Sequence, residues 1–137
     1  MNFIKFLLFV FCLTINLAQA RTSAPHNAEV YIISPTDGEK VSSPFTVKFG
    51  LKGMGIAPAG VDRPNTGHHH LLINAPLPSL ELPVPMDKRH RHYGGGQTET
   101  SLELAPGTHT LRLIMGDHVH IPHEPAIFSD EITVIVE

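Results

Sequence analysis

Ten histidines stand in this 137-residue chain, and nine of them fall between positions 68 and 123. They come in groups: His68-His69-His70, then His90 and His92, then His118, His120 and His123, with His26 and His109 apart. A neutral imidazole offers one lone pair in the ring plane, which suits zinc, copper and nickel. On an extended strand, residues i and i+2 share a face about 6.5–7 Å apart. His68 and His70 can therefore aim at one ion while His69 points away. His118-x-His120 offers the same geometry if extended, and His123 reaches back after Pro122. The metal-ligand candidates are His68, His70, His92, His120 and His123, with His118 in reserve, because ligation by all of them overfills a four-coordinate site. Copper or zinc is the expected ion, copper ahead of zinc for an exported site without thiolates.

Histidine also has other uses. It pins loops by donating from one nitrogen and accepting at the other, and clustered rings sense protons near their ordinary pKa of about 6.5. His109 and His26 are assigned to loop hydrogen bonding. Of the methionines, Met54 and Met86 are candidate soft ligands, whereas Met115 alternates with core leucines and reads as packing. Asp117 and Glu124 are expected to orient imidazole rings.

Other catalytic patterns fail. His123-Glu124-Pro125 opens like a zinc-protease motif, but position 127 is Ile and Pro125 breaks the required helix. There is no Gly-x-Ser-x-Gly elbow, and Gly94-Gly95-Gly96 is followed by Gln97 rather than a phosphate-binding Lys. The only cysteine, Cys12, lies in the N-terminal apolar stretch, so disulfide and thiolate chemistry drop out of the rest.

The elements that must position these histidines read as short strands. Glu29 to Ser34 is a first strand, ended by the turn residues Pro35-Thr36-Asp37-Gly38. Phe45, Val47, Phe49 and Leu51 alternate with Thr46, Lys48 and Gly50, the period of a half-buried strand. Further strands are expected at about His68–Asn74, Thr100–Leu104, His109–Met115 and Ile132–Val136. Residues 75–98, with repeated prolines and the triple glycine, read as irregular connection. Twelve prolines argue against long helices. With an eight-stranded jelly roll as the main competitor, the pattern predicts an all-β, immunoglobulin-like antiparallel β-sandwich of about seven short strands. In that topology the loop before the His68 strand and the loop after the His109 strand meet at one end, which is where the metal site is expected.

Residues 1–20 read as a secretory signal peptide: Lys5, an apolar run from Phe6 to Ile15, and Ala18-Gln19-Ala20 as the cleavage pattern. That run is shorter than the roughly 20 residues a spanning helix needs. The expected organisation is a signal at 1–20, a flexible lead-in at 21–28 and one sandwich domain at 29–137. Formal net charge is −3 with no basic stripe, which speaks against nucleic acid as a partner. The expectation is a periplasmic or secreted product, without a membrane span after cleavage, whose partners are a metal ion and an envelope protein.

Three blocks carry a family resemblance. They are Asn65-Thr66-Gly67-His68-His69-His70-Leu71-Leu72-Ile73; His92-Tyr93-Gly94 with Gly96-Gln97-Thr98-Glu99; and Pro106-Gly107-Thr108-His109-Thr110-Leu111 followed by Gly116-Asp117 and His120-Ile121-Pro122-His123. In this order they resemble the domain-of-unknown-function 4399 family of exported bacterial proteins, over roughly residues 29–136. Tyr93, Asn74 and His118 depart from the usual pattern. The resemblance implies a bacterial envelope location and draws attention to His68–His70, His92, His109, His120 and His123, but brings no activity with it. The resulting reading is a histidine-rich binding module rather than an enzyme. The alternatives are a structural or adhesive immunoglobulin-like module and a small metal-dependent enzyme of unknown substrate.

Overall fold

The computed structural model describes residues 20–137; the expected signal peptide, with Cys12, lies outside the described residues apart from Ala20. Among the described residues nine strands form: β1 (Glu29–Ser34), β2 (Glu39–Val41), β3 (Phe45–Lys52), β4 (Gly55–Ile56), β5 (Thr66–Ile73), β6 (His90–His92), β7 (Glu99–Leu102), β8 (Gly107–Gly116) and β9 (Ile132–Val136). One sheet has the order β1-β3-β7, and the larger has β2-β9-β8-β5-β4, with β6 also paired to β5. Pairing is antiparallel except β2 with β9 and β4 with β5. In immunoglobulin terms β1, β3 and β7 take the places of strands A, B and E, and β5, β8 and β9 those of C, F and G. No helix among the described residues is long and apolar enough to cross a membrane.

The interior follows from side-chain alternation. Val30, Val47, Phe49 and Leu102 from the smaller sheet meet Leu71, Ile73, Leu111, Leu113, Met115 and Val134 from the larger one. Each such side chain contributes roughly 1.5–3 kcal/mol when fully buried. Met115 is thus packing, as its alternation with leucines indicated.

The opposite face of the larger sheet is also covered. Leu72 and Ile114 pack there with Ala75 and Val84, and Leu77 and Leu80 lie against them. Residues 75–89 are therefore a flap over that face, not a connection running free in solvent. Its end is fixed by β6, whose His92, Arg91 and His90 pair with His70, Leu71 and Leu72.

Two further segments set the geometry of the histidines. After β8 the chain turns sharply through 117–121, and Gly116 bridges to Pro122. The segment 21–24 lies beside the end of that turn: Ser23 forms a parallel bridge with Glu124, and Ala24 is buried in the main core.

Candidate metal centre

Alternation along β5 sorts its three histidines. His69 shares a face with Leu71 and Ile73 and packs on Phe49, ring centroids 5.0 Å apart. His68 and His70 share the other face with Leu72. Both are fully buried, at 0% exposure. Antiparallel pairing of β6 sets His92 opposite His70, and the 117–121 turn brings His120 over the same face. His120 adopts a left-handed backbone, φ 70°, a conformation uncommon outside glycine and often found where a side chain must be aimed.

The result is a group of four imidazoles, His68, His70, His92 and His120, whose candidate ligand nitrogens all lie within 4.8 Å of one another. His68 Nε2 is 3.1 Å from His70 Nε2 and 3.1 Å from His120 Nδ1. The rings of His92 and His120 are 4.8 Å apart, centroid to centroid, and nearly perpendicular. Four nitrogens around a tetrahedral ion at about 2.0–2.1 Å sit about 3.3 Å from each other, so two of the contacts are already near that spacing.

Protons alone satisfy this arrangement poorly. A ring nitrogen presents either one N–H or one lone pair along one direction. His68 Nε2 faces two other ring nitrogens, so a single proton serves one contact and leaves the other unmade. Burial pushes the His68 pKa down to about 4, with His120 and His92 adding to the fall. His70 is driven to about 2, by burial first and then by its histidine neighbours. Burial likewise lowers that of His92, with His120 contributing. These three rings are neutral at pH 7 and their lone pairs are available. His68 Nδ1, His70 Nδ1 and His92 Nε2 are buried without a protein partner, as are both nitrogens of His69 and His123 Nδ1 outside the cluster; the Nδ1 atoms of His68 and His70 lie across the ring from the converging Nε2 atoms. A cation at the centre would take the converging lone pairs together.

Close packing of the rings depends on absent side chains. A Cβ on Gly116 would stand 2.8 Å from His70 Nε2, and one on Gly94 would stand 2.6 Å from His92 Nε2. An open cleft of about 540 Å³, lined among others by Met86, Asp87, His90, His92 and Tyr93, runs beside β6.

His123 is buried but stands outside the group of four: its Nε2 donates to the Thr66 carbonyl, 3.0 Å. His118 is directed to Asp62, 3.6 Å from its carboxylate. His90 bonds Asp87 through Nδ1 at 2.8 Å. His109 Nε2 donates to the Ala105 carbonyl at 2.7 Å, and its Nδ1 accepts from the Asn74 amide at 2.9 Å; this is the loop-pinning use expected of it. Met86 is exposed, and Met54 packs against the core.

The cluster lies on the outer face of the larger sheet, at the end where the loop after β8 meets the start of β5: His68 pairs with Gly116 and contacts His120, and β6 closes over β5 from its other side. One expectation needs correction. Asp117 and Glu124 do not bond imidazole rings. Asp117 instead accepts the Val119 and Ile121 amides at 3.0 and 2.9 Å and the Thr22 hydroxyl at 2.6 Å. Burial pushes its carboxyl upward, but these hydrogen bonds outweigh that and hold it below the usual range. Glu124 pairs with Arg21.

An immunoglobulin-like sandwich carrying an all-imidazole cluster that can hold a metal ion defines the class. The chain belongs to the family described as domain of unknown function DUF4399, whose model matches residues 47–137. That span contains all four clustered histidines. No curated protein and no solved structure matches the chain.

Proposed function

We propose that this domain is a metal-binding module of the bacterial envelope, holding one copper or zinc ion through His68, His70, His92 and His120. The observation that carries the reading is the convergence of His70 Nε2, His68 Nε2 and His120 Nδ1 at 3.1 Å contacts, with His92 beside them. The donor set is purely imidazole, which suits borderline divalent ions and copper better than magnesium or calcium. Copper is favoured over zinc because the site has no thiolate and is expected to lie outside the cytoplasm. Export rests on the N-terminal sequence pattern. The role is binding rather than catalysis, since four protein ligands close a tetrahedral ion.

The test is calorimetric titration with copper(II) and zinc(II) after expression of the full chain without a histidine tag. One ion per chain at submicromolar Kd, lost in the His68→Ala/His70→Ala double variant, is the expected result. Binding no tighter than that of free imidazole, or equal binding by the double variant, overturns the reading.

A further inference from the structure

The residues just before the sandwich do more than lead into it. Arg21 donates through Nε to the Pro122 carbonyl at 3.1 Å, and its other guanidinium nitrogens reach the His123 carbonyl and the Glu124 carboxylate. The Glu124 amide donates to the Thr22 carbonyl at 2.9 Å, and the Ala24 amide to the Glu124 carbonyl at 3.0 Å. Thr22 Oγ1 donates to Asp117 Oδ2 at 2.6 Å. The other carboxylate oxygen, Oδ1, takes the amides of Val119 and Ile121, which flank His120. Asp117 is 3% exposed, so few water molecules can replace the Thr22 hydroxyl.

We infer that Arg21 and Thr22 are positioning residues for His120: they clamp both ends of the 117–124 segment and hold the left-handed turn that aims this ring at the cluster. A peptide turn with a side chain at positive φ is strained by itself and persists only where its surroundings over-determine it. Here Asp117 supplies that determination from within the turn, and the 21–24 strap supplies part of it from outside, beside the Val84 amide on the His120 carbonyl and the Gly60 amide on the His118 carbonyl, both at 2.9 Å. The functional meaning of the clamp rests on the metal reading above; its effect on the turn does not.

The experiment compares the wild type with Thr22→Val, which keeps the shape and removes the hydroxyl, and Thr22→Ser, which restores it. Amide hydrogen exchange is followed in the metal-free protein, and copper(II) affinity and electron paramagnetic resonance parameters in the loaded one. The expected result is exchange at Val119 and Ile121 at least about tenfold faster in Thr22→Val, with Leu113 and Val134 unchanged. Copper affinity should fall by about tenfold with altered hyperfine coupling, and Thr22→Ser should behave as the wild type. Unchanged exchange at 119 and 121, or acceleration spread evenly over the core, overturns the inference. If Thr22→Val accelerates exchange locally but even the wild type binds no metal, the clamp stands and the metal reading falls. If the wild type binds and Thr22→Val alters neither quantity, the reverse holds.

Discussion

His109 and the cluster around His68 show two uses of the same side chain in one domain. At His109 both nitrogens meet groups of opposite character: a carbonyl accepts from Nε2 and an amide donates to Nδ1. One tautomer satisfies everything, and the Asn74 side-chain oxygen Oδ1 goes on to accept from the Thr110 backbone amide at 2.9 Å. In the cluster, by contrast, ring nitrogens face ring nitrogens, and no assignment of protons satisfies them all. His109 is matched to its neighbours, whereas a group of histidines that face one another is complementary to a cation.

The sharpest way to test that contrast is to remove ligands from one region and a hydrogen-bonding ring from the other. His68→Ala/His70→Ala should abolish measurable metal binding by calorimetry, while His109→Ala leaves the metal Kd unchanged.

Acid should separate the regions next. His68, His69 and His70 have folded pKa values lowered from 6.5 to about 4, 4 and 2, chiefly by burial. The unfolded chain therefore takes up protons first. In the metal-free protein this loss of stability is absent above about pH 6.5 and grows as pH falls toward 4, by up to about 1.4 kcal/mol per pH unit for each ring. Urea denaturation between pH 7 and 4.5 measures it, and a flat profile would mean that these rings are not buried neutral.

A smaller effect is expected from Gly116→Ala. The new methyl crowds His70 Nε2, and overpacking of this kind costs about 1–3 kcal/mol, which should appear as roughly tenfold weaker metal binding. The smallest is the stability cost of His109→Ala, about 1 kcal/mol for partly exposed hydrogen bonds, read as a shift in the denaturation midpoint.

Much of the fold was legible. β1 and β9 have the expected bounds, and β3, β5 and β8 differ by two residues at most at either end, because each carries enough alternating residues to declare a period. Three strands were not: β2, β4 and β6 are only two or three residues long, and His90-Arg91-His92 is wholly polar, so nothing distinguishes it from a loop. The candidate site was half legible. The i, i+2 spacing put His68 and His70 on one face and His69 on the other, as the structure has them. That this face is the outer one was carried by Leu71 and Ile73, which alternate with the two histidines and fill the core. His92 arrives through the unforeseen β6 pairing, and His120 through a positive φ that no local residue pattern announces. The docking of Arg21 and Thr22 left no trace in the sequence either, since such a strap has no period.

The four clustered imidazoles come from three stretches of chain, with His68 and His120 separated by 52 positions. An unfolded polypeptide thus keeps only the local His68–His70 run and distant single imidazoles, not the four-ligand site. If the proposed site holds an ion, that ion is therefore drawn from whatever metal pool surrounds the chain at the moment its sheets close.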